Sequence, residues 1–449
     1  MEKQGGCISG KTIGGRHPGM RINNINSLQI FQVLQFGTAV LIGIYLAKSG
    51  LPLEQISVYE AWMFIGSLFS FFWVSGGQNA LLQQFPKLEG SARPTALFSV
   101  FLLFSAAGLA AGVALFLSRH FVVDQLTNFT AVPNLDLLAL YVIFNCPAFL
   151  VHIYYLLIKK YALIVWFAIF GFGLQLAAVV VPIYLGYNLR AAMAGLVAVA
   201  VFKYCWALVV LYRYTEWQVD RSFVKKYAVL AVPLVLLSLI GKGADYASGL
   251  VVTNLFDDEK AFAIFRYGAR EFPLAVLMVG ALGTSLIPET AENLTLGLQR
   301  IKASSRKLSH WLFPLSMLSM LASPFLFPVV FSDGFEESAR VYNIFTLLIS
   351  SRILLPNVIV MSQGKNYFLT LSATFELVLL TMLSWWWGSL WGLEGVAFAA
   401  VAAFFVERLI VVSYVWKALE IAPFQYIDRR TYIGYNMVLY LVFWLSLYL

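Results

Sequence analysis

The sequence predicts an all-α polytopic membrane protein: twelve transmembrane helices in two six-helix bundles around a central cavity, with room for a thirteenth helix at the C-terminus. Three observations predict it. The 449 residues are 60% hydrophobic and only 12% charged, which suits a membrane chain rather than a soluble enzyme. Apolar stretches recur along the whole length, each able to cross a hydrocarbon core of roughly 30 Å at about 1.5 Å per helical residue. Threading those stretches back and forth also sorts the basic residues onto one side. Helices follow because backbone polar groups in lipid must be satisfied within their own segment.

Residues 1–21 are polar and Gly-rich and are expected to form a disordered tail, with Met20 a second candidate start. They lack the apolar core of a secretory signal and the apolar residues that a lipid-attached Cys7 would need. Spans are expected near 27–47, 56–84, 95–118, 136–158, 161–186 and 190–213, giving an N-lobe over 22–215. A second set near 224–255, 260–287, 309–331, 337–361, 366–388 and 392–416 gives a C-lobe over 216–420. Residues 421–449 form an amphipathic segment and an extra apolar stretch, 432–449, either a thirteenth span or a helix lying on the surface. The stretch 288–310 is basic toward its end, and reads as an inner-leaflet helix or an ordinary loop.

The net charge of +8 is better explained by topology than by nucleic-acid affinity. With the N-terminus cytoplasmic, the pairs Lys159–Lys160 and Lys225–Lys226 fall inside, with Arg300, Lys302, Arg306 and Lys307. Only a few cations, such as Lys48, Arg190, Lys260 and Arg340, fall outside. That asymmetry obeys the positive-inside rule. Cys7, Cys146 and Cys205 are isolated, so neither a disulfide framework nor a metal site follows.

Sliding the chain on itself by 206 positions brings ISVYEAW (56–62) onto FAIFRYG (262–268), and FGT (36–38) onto KGA (242–244). The match predicts an internal repeat of two bundles, a common transporter plan with its site between them.

Residues 227–273 contain Pro233, Asp245, an acidic turn at Asp257–Glu259, and Phe265 opening the next helix. In these features, and in the opening pair of helices that begins IFQVLQFGTAV, the chain resembles the polysaccharide flippases of the multidrug/oligosaccharidyl-lipid/polysaccharide (MOP) exporter superfamily, over residues 22–420. It departs from them in the extra stretch 432–449, and in Tyr246 where those proteins carry Arg after the seventh-helix Asp. The resemblance implies a flippase of a bacterial inner membrane. It would move an undecaprenyl-pyrophosphate-linked oligosaccharide from the inner to the outer leaflet for O-antigen, capsule or exopolysaccharide assembly. Glycan polymerases or ligases would be its partners, and the chain is expected to be a monomer.

Ionised groups inside spans are the candidate site. A charge at a helix centre costs about 2.5–3.5 kcal/mol on insertion scales, so such groups normally face protein or a wet cavity. Asp245 and Arg270 lie equally far from the turn near 257–258 and are expected to pair. Lys242 and Arg266, each one turn away from that pair, join Arg270 as the cationic lining that would bind an anionic headgroup, because guanidinium forks match phosphate oxygens. Glu60 aligns with Arg266 in the repeat, and a Glu60–Arg266 bridge is expected to close the outer gate. Asp245, Glu60 or Glu271 would bind H+ or Na+ if transport is ion-coupled, and Glu271 is an alternative partner for Lys242. Glu376, Glu407 and Arg408 are expected to pin helices eleven and twelve together. Lys203 and Arg352 either line the cavity or snorkel. Gly37 and Gly43 in the first helix, and Pro233, Gly241, Gly243 and Gly249 in the seventh, allow bending or close packing alike. Trp385, Trp386, Trp387 and Trp391 are expected to form an interfacial belt, with sugar stacking as the alternative.

Enzymes are disfavoured. His17, His120, His152 and His310 are scattered, no Ser/His/Asp constellation appears, and neither a catalytic residue nor a cofactor is implied. The alternatives carried are a cation-coupled multidrug or metabolite antiporter of the same superfamily, a membrane glycan polymerase or acyltransferase, and a channel.

Overall fold

The computed structural model describes residues 24–85, 88–90, 92–118, 133–256, 258–270 and 273–448, and every regular element among them is a helix. Eight of these helices are long and apolar enough to cross a bilayer, ten when two bent pairs each count as one span.

The first half runs α1 (Asn24–Lys48), α2 (Leu53–Leu68), α3 (Phe71–Gln84), α4 (Ala92–Leu117), α5 (Leu135–Ala148), α6 (Leu150–Leu157), α7 (Tyr161–Tyr184) and α8 (Leu189–Tyr214). The α2–α3 pair bends by 43°. At that break Ser70 Oγ donates to the Gly66 carbonyl at 2.8 Å, satisfying an acceptor that a helix break in an apolar setting would orphan. Pro147 near the end of α5 removes a ladder N–H, and the chain breaks at Phe149. Gln78 Nε2 of α3 donates to the Phe149 carbonyl at 2.9 Å, so side chains re-satisfy the backbone at both breaks.

The second half repeats the plan. It comprises α9 (Arg221–Leu255), α10 (Glu259–Gly268), α11 (Pro273–Glu292), α12 (Leu294–Val330), α13 (Glu336–Thr346), α14 (Ile349–Arg352), α15 (Pro356–Ser362) and α16 (Asn366–Lys417). The span containing α13 and α14 bends by 46° into α15, after Leu355 at φ +51° and at Pro356, the helix-opening proline. The 52-residue α16 is two limbs, because the chain reverses at Trp391 and Gly392. Gly392 has φ +64° and ψ −146°, a region essentially reserved for glycine. The reversal brings Phe368 onto Tyr414 with ring centroids 3.7 Å apart, so the eleventh and twelfth crossings are a tight hairpin.

One expectation changes. The basic stretch before residue 309 is neither a loop nor a separate surface helix. It is the first part of α12, a continuous helix of 37 residues and about 55 Å, opened by Asn293, whose side chain accepts from Leu296 N at 3.0 Å. The C-terminal stretch comprises α17 (Pro423–Tyr426) and α18 (Arg429–Ser446), the latter taking in Arg429 and Arg430 ahead of the apolar run. Asp428 caps α18 by accepting from Thr431 N at 3.0 Å. The helix then runs parallel to α12, from Tyr435 stacked on Phe313 to Ser446 bonded by Asn343.

The halves meet at both ends of the central spans. On the side of the basic loops α3 packs against α9, and on the opposite side α2 packs against α10. Glycine makes the first contact possible: a Cβ at Gly76 would sit 2.5 Å from the Val235 backbone. Tyr227 donates to the Gly77 carbonyl at 2.8 Å, and Gln84 to the Lys226 carbonyl at 3.0 Å. The second contact is apolar around its charges, with Ala47 and Ile56 in one cluster with Ala263, Tyr267, Phe331 and Phe335.

Candidate site at the seam between the halves

The α10 helix starts at Asp258, whose side chain accepts from Lys260 N at 2.9 Å, and ends at Gly268. Its position against α2 brings two arginines to one carboxylate. Glu60 Oε2 lies 3.9 Å from Arg266 Nε, and Glu60 Oε1 lies 3.6 Å from Arg270 Nη2. Glu60 is only 6% exposed, so these contacts are poorly screened by solvent. Both distances exceed the 2.7–3.2 Å typical of a hydrogen bond, so the carboxylate is shared rather than locked to either partner. Among the described residues, one carboxylate faces two guanidiniums.

Aromatic faces hold the guanidiniums in place. Arg270 stands over the Tyr267 ring at 4.8 Å and Arg266 over the Phe64 ring at 5.7 Å, within cation–π range. The Tyr267 hydroxyl donates to the Gly43 carbonyl of α1 at 3.0 Å. A Cβ at Gly43 would press on that hydroxyl at 3.2 Å and on the Arg270 guanidinium at 3.3 Å. Gly43 therefore serves close approach here. Arg270 Nη1 is buried without a hydrogen-bond partner among the described residues, a donor available to an incoming acceptor.

The internal repeat accounts for this geometry. The offset that aligns Glu60 with Arg266 also aligns Glu54 with Lys260, and Glu54 Oε1 lies 3.2 Å from Lys260 Nζ. Repeat-equivalent positions on α2 and α10 thus face each other with opposite charge. The Glu54–Lys260 pair is exposed to solvent, where screening leaves an ion pair little to contribute. Sequence reasoning missed this pair, although the repeat offset that found Glu60 and Arg266 contains it. It also missed Tyr267 and assigned Gly43 only to bending or packing.

The remaining candidates lie elsewhere. Arg270, expected against Asp245, stands beside Glu60; the side chains of Asp245 and Lys242 on α9, and all of Glu271, lie outside the described residues. Lys203 is 8% exposed, donates to Gln175 Oε1 at 3.0 Å and lies over Phe172 at 5.0 Å, tying α8 to α7. Arg352 and Arg408 both stand 4.8 Å from the Phe404 ring centroid. Glu407 accepts from Ser372 Oγ at 2.9 Å across the two limbs of α16, the helix-pinning role expected of it, and lies 3.7 Å from Arg408 on its own limb.

Two halves of broken helices that meet at a buried, charge-bearing seam define a polytopic membrane protein of the paired-bundle class. No family model matches the chain, and no curated protein sequence matches it. Among solved structures it is similar to the lipid II flippase MurJ in an inward closed conformation, with TM-score 0.73 and 14% identity, over 93% of this chain and 92% of that one. It is also similar to an inward-facing multidrug resistance MATE family transporter, with TM-score 0.62 and 14% identity over 89% and 98% of the two chains. A third similarity is to a MOP superfamily transporter from Pyrococcus furiosus, with TM-score 0.55 and 14% identity over 88% and 94%. The chain therefore shares its fold with these flippase and transporter structures.

Proposed function

We propose that the protein is a flippase, and not an enzyme, that moves an anionic lipid-linked oligosaccharide across a bacterial plasma membrane by alternating access of its N-lobe (22–215) and C-lobe (216–420). The N-terminus lies on the cytoplasmic side. The observation that carries this reading is the sharing of Glu60 by Arg266 and Arg270 across the seam. A pyrophosphate brings acceptors that fit guanidinium forks, and it can replace Glu60 at Arg270, whose Nη1 has no described partner. Loss of that shared carboxylate frees α2 from α10, so binding the headgroup also loosens the outer gate. Affinity stays moderate because Glu60 competes for the same cations. Lys242, Asp245 and Glu271 complete the proposed lining and ion-coupling set, with H+ or Na+ as the coupling ion. Cell-surface polysaccharide assembly is the destination of the cargo.

The fold shared with the MATE transporter supports a second reading, a cation-coupled drug antiporter. Purified protein in liposomes separates the two, with fluorescent lipid-linked pyrophosphate sugars in one arm and cationic dyes in the other, with and without ion gradients. Flipping of the sugar lipid and its loss in Arg270→Ala are expected. Dye movement without sugar-lipid movement would overturn the flippase reading.

A further inference from the structure

The basic start of α12 has no part in the transport reading, and the structure gives it a second feature. Where α12, α14 and α18 meet, a shallow half-open cavity is lined by Ser305, Arg306, Ser309, Asp428, Thr431 and Tyr432. Ile353 and Leu354 of the α14 end form an apolar wall. Arg306 Nη1 reaches Asp428 at only 3.8 Å, and its side chain stays 60% exposed. It bridges the rim loosely. One turn earlier on the same helix face, Lys302 Nζ donates to the Phe424 carbonyl at 2.7 Å. Lys307, Arg429 and Arg430 are exposed close by in the chain. Cations therefore outnumber Asp428 around a cleft with an apolar wall.

We infer that this cleft binds the headgroup of an anionic phospholipid from the cytoplasmic leaflet, its phosphate on Arg306 and its first acyl carbons along Ile353 and Leu354. Charge complementarity selects the occupant, because basic clefts between helix ends on that side of a membrane meet anionic lipid at high local concentration. Position supports it as well. α12 leaves the apolar part of its span near His310 and Trp311, and Trp311 is 70% exposed, as an interfacial anchor would be. The cleft lies one turn toward the basic side of that level. Its occupant would join α12 to α17 and α18 and so fasten the C-terminal helix to the C-lobe.

Native mass spectrometry of the full chain in detergent, titrated with dioleoyl phosphatidylglycerol, dioleoyl phosphatidylcholine or inorganic phosphate, tests the site. One phosphatidylglycerol is expected to be retained in preference to phosphatidylcholine. Arg306→Gln is expected to weaken that retention about fivefold, the worth of one cation at a membrane surface, with phosphatidylcholine retention unchanged as the folding control. Asp428→Asn keeps an N-cap acceptor for Thr431 and should hold or tighten phosphatidylglycerol. Equal retention of the two lipids, no change in Arg306→Gln, or equal weakening in Asp428→Asn would overturn the site, the last by showing a protein clamp instead. Displacement by inorganic phosphate at equal concentration would reassign it to a free anion. None of these readouts involves transport, so failure here leaves the flippase reading standing.

Discussion

Glu60 shows what a single residue decides. Its position in an apolar span makes it costly, and the two guanidiniums that share it explain why it is kept. Aromatic faces and the Gly43 approach then fix where those guanidiniums stand. Asp428 offers a test at the same scale. The Thr431 backbone N–H that it accepts, followed by its side chain and by Arg306 and Lys302, holds its carboxyl below the usual carboxylate range. A lowered folded value means that its stabilisation is complete above the ordinary Asp range, about 4, and disappears as pH falls through the lowered value. Thermal unfolding of wild type and Asp428→Asn between pH 6 and pH 3 should show wild type more stable at the upper end and the gap closing with acid. A gap that ignores pH would remove the charge from the account of this cap.

Whole helices carry consequences that single residues do not. α12 continues through its basic stretch because Asn293 caps it early and no proline precedes Pro314, the first of its three interior prolines. α16 reverses because only glycine accepts the Gly392 backbone. The contact of α3 with α9 depends on a missing side chain at Gly76, where even a methyl would collide with the Val235 backbone. Gly76→Leu should therefore destabilise the protein by about 1–3 kcal/mol, the usual cost of overpacking, read as a lowered melting temperature in detergent. Gly37 on α1, with nothing near its Cβ position, supplies the control. If Gly37→Leu and Gly76→Leu behave alike, close packing is not what holds α3 on α9.

Across the molecule, the repeat turns two helices into a matched pair. Glu54 with Lys260 and Glu60 with Arg266 keep one offset, so the seam between α2 and α10 is a ladder of opposite charges on equivalent positions. If that ladder closes the outer gate, Glu60→Arg and Arg266→Glu should each stop flipping in the liposome assay, and the double exchange should restore part of it. Silence of Glu60→Arg together with a dead double exchange would separate Arg266 from any gate with Glu60.

Hydrophobic runs and the lipid requirement for internally bonded backbone determined the all-helical membrane class, because it depends on local composition alone. The Glu60–Arg266 contact was legible because the repeat offset encoded it. Tertiary structure decided what depends on directions between helices. It placed Arg270 on Glu60, set Lys203 on Gln175, joined the basic stretch to α12 and laid the C-terminal helix along it. Sequence fixes depth along a helix, but azimuth and neighbour follow only from packing, and there the partners of buried charges are chosen.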